Sequence, residues 1–363
     1  MFFKGLCREE GEEEDDDEDE MDDEDKIKTQ AVLDKGYIIN GPKLQRLSLR
    51  YLEIDTGPKY FEFLLKPLPQ LTHLDLSDLS SRHRDGLSDF EFLLFLPNLK
   101  SLVLHNVPGI NEFALATFSQ LKQLRHLDVS QVRKGPENAH VEGRYDFPNK
   151  SLHNLVLSLP ELTSLDISGT NLAGSGNYDD LIKGASSSEI SRCDIPGLVS
   201  RVDRPLDFLG LYKTDHEASL RAHIPAKEIS GQINESHMLS AARRYFHRSE
   251  VLDSVLSGFY HKVRIEDCQD IWSIFDIVLM AMERYTENQQ IQYSCTATLY
   301  FIVRSLNKAM NLKMKRKILS CLLNVMYAHK TNTVVVRNSC LILCQFELPA
   351  DVVNMITCFS TTQ

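Results

Sequence analysis

The chain has 363 residues, 42% of them hydrophobic, and carries a formal net charge of −11. That length suits two or three domains or one long repeat array, and the apolar share is ample for a folded core. The charge is concentrated: Glu9 to Asp25 hold 15 acidic residues, and taking these from −11 leaves the rest at +4. The folded part is therefore close to neutral and lacks the basic footprint of a nucleic-acid binder.

Such an acidic run repels itself and reads as a solvated, disordered segment over about 1–39, with contact to a basic partner as the other reading. The eight cysteines include no Cys-x-x-Cys pair. Cys295, Cys321, Cys340 and Cys344 sit in apolar helical runs, which predicts buried free thiols in a reducing compartment. No apolar run is long enough to span a bilayer. A cytoplasmic protein, with the nucleus also open to it, is the expectation.

After the acidic run, Leu44-Gln-Arg-Leu-Ser-Leu49 is a first, weaker copy of a pattern that dominates the next stretch. Leu71-Thr-His-Leu-Asp-Leu-Ser-Asp-Leu79 shows it fully, with leucine at one, four and six. It returns at Leu99-Lys-Ser-Leu-Val-Leu104, Leu124-Arg-His-Leu-Asp-Val129 and Leu162-Thr-Ser-Leu-Asp-Ile167. This is the leucine-rich repeat signature, one short strand per repeat. The starting leucines at 44, 71, 99 and 124 lie 27, 28 and 25 residues apart, inside the range for such repeats.

Helical returns are predicted at Tyr60–Leu65 and Leu87–Leu94, and returns end at Leu68-Pro69, Leu96-Pro97 and Leu159-Pro160. Proline stops the helix there and returns the chain to a strand. An insertion near Gly135–Asp146 explains the longer step from 124 to 162, and a Gly/Ser-rich loop is expected at about 174–194. A last strand-like unit follows at Pro205-Leu-Asp-Phe-Leu-Gly-Leu211, so the leucine-rich repeat domain runs over 40–215.

A linker at 216–233 precedes a change of period. From Asn234 apolar residues recur every three to four positions, predicting helices at Met238–Phe246, Val251–Tyr260 and about 268–285, 289–305, 312–329 and 333–346. Met282 and Met326 are 44 apart, and Cys295 and Cys340 are 45 apart, a period that suits armadillo or HEAT repeats. The expected fold is thus an α/β leucine-rich repeat solenoid followed by an all-α armadillo-like (ARM/HEAT-type) region over 234–363, incomplete at its C-terminal end.

Little in the chain suggests chemistry. It has no phosphate-cradling glycine loop and no strand–elbow–helix serine motif. His73/Asp75 and His126/Asp128 are the most tempting catalytic pairs, yet neither has a nucleophile or further metal ligand at suitable spacing. Cys340 and Cys344, one helical turn apart, lack a histidine nearby and read as core. Lys313, Lys315, Arg316 and Lys317 form a small basic face that reads as solubility. No catalytic, metal or cofactor residue is expected. The inner face of the repeats is the better candidate, because solenoids bind partners there. His73, Asp75, His105, His126, Asp128 and Asp166 would line it, either as a partner-binding strip or as an ordinary solvated face.

The junction Pro205-Leu-Asp-Phe-Leu-Gly-Leu211, His223-Ile-Pro-Ala-Lys227 and Gly231-Gln-Ile-Asn-Glu235 resembles the Zyg-eleven family, and most its Zer-one branch. Ile291-Gln-x-x-Cys-x-Ala-x-Leu-Tyr-Phe301, Leu312-Lys-x-Lys-Arg316 and Arg337-Asn-x-Cys-Leu-x-Leu-Cys-x-Phe346 extend the resemblance through the helical part, so that it covers roughly 40–353. It implies a leucine-rich repeat domain followed by armadillo-like repeats. It further implies a substrate receptor of a cullin-two ubiquitin ligase, with elongin B/C and cullin-two as partners and proteins that begin with glycine as substrates. A scaffold that binds a protein without ligase attachment is the alternative.

Two features depart from the family pattern. Only a short segment and the acidic run precede the first repeat, where the family carries its elongin- and cullin-binding box. The Ala-Leu-Trp-Asn-x-Thr-Asp-Glu motif of the family's glycine pocket does not occur here, and the single tryptophan, Trp272, stands in Ile271-Trp-Ser-Ile-Phe275. The degron pocket is therefore expected to lie outside this chain, which reads as the middle of a Zer-one protein.

Overall fold

The computed structural model describes residues 41, 43–54, 59–81, 90–132, 143–176, 193–265 and 268–346. The acidic run, the centres of both expected insertions and the last residues lie outside these.

Seven short strands form one parallel sheet in the order β1-β3-β5-β6-β7-β8-β9. They are β1 (Arg46–Ser48), β3 (His73–Asp75), β5 (Ser101–Val103), β6 (His126–Asp128), β7 (Ser164–Asp166), β8 (Leu206–Gly210) and β9 (Ala226–Ser230). β2 (Glu53–Ile54) and β4 (Ser80–Ser81) pair separately beside it. The register is set by the repeat: Leu47, Leu74, Leu102, Leu127, Leu165 and Leu209 face one another in adjacent strands. All but Leu47 are fully buried. Each leucine fills the layer between its neighbours, so a one-residue slip would turn the whole ladder to water.

The outer layer is built from α1 (Lys59–Leu65), a short 3₁₀ turn at Glu91–Phe95, α2 (Glu112–Phe118) and α3 (Pro148–Ser158). Leu68, Leu96 and Leu159, each before its proline, are fully buried where the chain turns back to the sheet. The expected return at Leu87–Leu94 is described only from Phe90 and is a 3₁₀ turn rather than an α-helix. Part of the segment expected as a linker at 216–233 belongs to the sheet instead, as β9 pairs with β8 from Leu206↔Ala226 to Gly210↔Ser230. The reason is visible in Ala226-Lys-Glu-Ile-Ser230: it lacks the leucine spacing but keeps small or apolar residues at its inward positions.

Six helices follow: α4 (Glu235–Arg244), α5 (Ser249–Ile265), α6 (Ile271–Arg284), α7 (Gln289–Leu306), α8 (Leu312–Ala328) and α9 (Thr333–Leu343). Their starts are written in the sequence. Asn234, Asp270, Asn288, Asn311 and Asn332 each accept a hydrogen bond from a backbone N–H of the first turn. Two apolar cores result, and Phe208 and Tyr212, from β8 and the turn after it, belong to the helical one. Among the described cysteines, Cys193, Cys295 and Cys321 are buried, whereas Cys340 and Cys344 are exposed, contrary to the sequence reading. They lie on the side of α9 turned from Val335 and Ile342, which fill the core. Among the described residues no helix is long and apolar enough to cross a membrane.

Candidate functional site

Every strand of the inner face contributes two outward positions, so the sheet carries two rows. The first row reads Arg46, His73, Ser101, His126, Ser164, Phe208 and Glu228, and the second Ser48, Asp75, Val103, Asp128, Asp166, Gly210 and Ser230. The expected strip divides between them. His73 and His126 stand in the first row and Asp75, Asp128 and Asp166 in the second, while His105 follows β5.

A local device fixes the second row. In Leu-Asp-Leu-Ser, Leu-Asp-Val-Ser and Leu-Asp-Ile-Ser, the aspartate Oδ1 accepts the backbone N–H of the serine two residues on, at 2.9, 2.9 and 3.0 Å. The Ser77 and Ser130 hydroxyls donate to the same oxygens. This leaves each Oδ2 facing outward for a partner.

For Asp128 and Asp166 that partner comes from the helical half. Arg248, between α4 and α5, donates from Nη2 to Asp128 Oδ2 at 2.5 Å and from Nη1 to Ser130 Oγ at 3.2 Å. Its Nη1 stands 3.9 Å from Asp166 Oδ2. The guanidinium lies against the Tyr245 ring, 5.3 Å from its centroid. Tyr245 is itself fully buried, with its hydroxyl 2.9 Å from both Ser168 Oγ and Ser230 Oγ. His105 Nδ1 meets Ser130 Oγ at 2.8 Å. Beside this cluster, Arg244 stacks on Phe208 at 4.5 Å and reaches Ser164 Oγ and His126 Nδ1 at 3.5 Å. Only glycine fits at 210, because a Cβ there would sit 2.0 Å from Asp166 Oδ1.

Burial sets the electrostatics. Taking Asp128 out of water favours its neutral form, but the Arg248 charge outweighs that and holds the carboxyl well below the usual range. Asp166 goes the other way: burial and then the Asp128 charge push it up to about 6, only partly offset by the more distant Arg248. Burial and Arg248 bring His105 down to about 4. Burial first, then the charges of Arg46 and Lys100, lowers His73 as well.

The expected strip is therefore not continuous with solvent. His105, Asp128 and Asp166 are buried under Arg248 and Tyr245, whereas His73, Asp75 and His126 keep partial exposure. The residues missed from sequence are Arg248, Tyr245, Arg244 and the serines that receive them. One signal was available. Asp128 and Asp166 face each other in adjacent parallel strands, and like charges so placed require a counter-charge. A cleft of about 610 Å³ opens beside the joint, between His105, Gln131 and Lys213 on one side and Glu250, Asp253 and Ser254 on the other. Among the described residues no group of three His, Cys, Asp or Glu could hold a metal ion.

Comparison with known proteins matches both halves. A family model described as Zer-1-like, leucine-rich repeats matches residues 62–214, and one described as protein zer-1 homolog-like, C-terminal domain matches 280–361. The chain belongs to the Zer-1-like family. It is 41% identical to the protein zer-1 homolog of Drosophila melanogaster over 84% of this chain and 38% of that protein. It is 36% identical to the Zyg eleven-related protein 1 of Caenorhabditis elegans, over 80% of this chain and 31% of that one. The human protein zer-1 homolog is 31% identical over 89% of this chain and 40% of its own length. The chain thus spans between about a third and two fifths of the curated relatives it matches. No solved structure matches.

Proposed function

We propose that this Zer-1-like chain is the substrate-recognition part of a cullin-two–elongin B/C ubiquitin ligase, acting in the cytoplasm, with the nucleus also open to it, without catalytic residues of its own. The observation that carries this reading is the joint. One largely covered guanidinium ties the two solenoids together, and a receptor needs such rigidity to present a bound protein at a fixed place and angle. His73, Asp75 and His126, the part of the strip that stays accessible, are the contact residues of choice for a protein partner. Recognition of proteins beginning with glycine is the role the family resemblance supports, and no residue of this chain is assigned to it.

Co-purification of the tagged chain from cells tests the reading. Recovery of elongin B/C and cullin-two is expected. Recovery of a protein partner that depends on His73 and Asp75, with neither ligase component present, would favour the plain scaffold.

A further inference from the structure

The two rows of the inner face differ in how their charges are met. In the second row and the turn after β3 the carboxylates have cations of their own: Arg50 lies 3.8 Å from Asp75 and 3.7 Å from Asp78, and Arg248 serves Asp128 and Asp166. Along the first row Arg46, His73, His126 and Arg244 follow one another, with Lys100 at its edge, and no carboxylate stands among them before Glu228 on β9. Glu228 is engaged by Ser240. Arg46 and Arg244 are exposed, Lys100 is half-exposed, and none of the three forms an ion pair with a described residue. Nearby, Asp207 is occupied by Lys227 at 2.7 Å, and Glu161 stands by Arg125 at 4.0 Å.

We infer that this basic row is the docking site of the chain's own acidic run, Glu9–Asp25. The charges are complementary, 15 carboxylates within 17 residues against Arg46, Lys100 and Arg244, none of which pairs with a carboxylate among the described residues. The dimensions agree as well. Five strand steps from Arg46 to the Phe208–Arg244 stack span about 24 Å, and a 17-residue extended run reaches more than about 50 Å. Twenty residues separate Asp25 from Arg46. They can bridge at most about 70 Å, which brings the whole row within reach. A tether this short gives an effective concentration on the order of millimolar, favouring the chain's own run over an acidic segment of another protein. The inference concerns the repeat face alone and holds whether or not a ligase is attached.

Carbodiimide coupling of the full chain tests it, joining carboxylates to lysines in direct contact. An equal mixture of isotope-labelled and unlabelled chains separates linkages within one chain from those between two. Lys100 is expected to couple to Glu9–Asp25 within one chain about tenfold more than the more exposed Lys308 or Lys330 does. The Arg46→Gln/His73→Gln double variant, both on the surface, should lose that preference, as should 1 M salt, where the screening length falls to about 3 Å. Equal coupling to all three lysines would overturn the inference and leave a solvated run. Linkages mainly between labelled and unlabelled chains would overturn it too, and would assign the row to a second copy.

Discussion

Asp75 and Asp128 occupy the same place in two near-identical repeats, each in Leu-Asp-x-Ser, each holding its serine N–H at 2.9 Å. Asp75 has a cation from the preceding repeat of its own domain, Arg50 at 3.8 Å, with both side chains close to 30% exposed. Asp128 has a cation from another domain, Arg248 at 2.5 Å, and only 3% of its side chain is exposed. Local geometry is equal, so the contrast isolates what burial does to an ion pair. In water the pair adds little; under a second domain it becomes a condition for docking.

The largest test of this contrast is Arg248→Met. It keeps the volume but leaves two buried carboxylates without a cation, at an expected cost of about 3–5 kcal/mol. Denaturant unfolding should show the loss, with hydrogen exchange faster first at α4 and α5. A change under about 1 kcal/mol would mean that water already reaches the joint.

The pH profile comes next. Asp166 titrates near 6 in the folded chain, above the ordinary carboxylate range, so the folded state takes up that proton first. Its contribution to stability therefore grows as pH falls through 6. His105, held near 4, works the opposite way: the unfolded chain protonates first, and stability is lost as pH falls from 6.5 toward 4. The two largely cancel over that window. Asp166→Asn should thus lose about 2–3 kcal/mol relative to the unsubstituted chain between pH 7 and 4, and His105→Gln should gain relative to it. Parallel curves for all three chains would show that neither group titrates within the joint.

Gly210→Ala ranks third. The added methyl meets Asp166 Oδ1 at 2.0 Å and the Tyr245 hydroxyl at 2.9 Å, so the joint must open slightly. About 1–3 kcal/mol is expected by thermal melting, less in an Asp166→Ala background. Arg50→Met, the exposed counterpart of the first substitution, should change stability by less than about 0.5 kcal/mol.

How far the sequence could be read follows from the range of the interactions. The strand leucines and the prolines that end the returns act within a few residues, and the strands from β1 to β8 that carry the leucine pattern fell where these signals put them. β9 escaped because Ala226-Lys-Glu-Ile-Ser230 owes its strand to β8 rather than to a leucine pattern of its own. Cys340 and Cys344 were misplaced because their helix is apolar on more than one side, and the period alone does not say which side meets α7. The joint was out of reach for a different reason. Arg243-Arg244 and Arg248 look like the basic end of an ordinary amphipathic helix, and only the facing pair Asp128 and Asp166 asked for a cation from elsewhere.

Asp128 and the arginine that neutralises it are 120 residues apart. A ribosome adding about 5–20 residues per second needs roughly 6–24 s to cover that distance. Within that interval the newborn leucine-rich repeats can stack on one another while the acidic pair still lies open to water and the Ser168 hydroxyl waits 77 residues for Tyr245. The arrival of α4 and α5 then converts a hydrated surface into an interior in one docking step. Any factor that guards this protein during its synthesis has that open surface, and those seconds, in which to act.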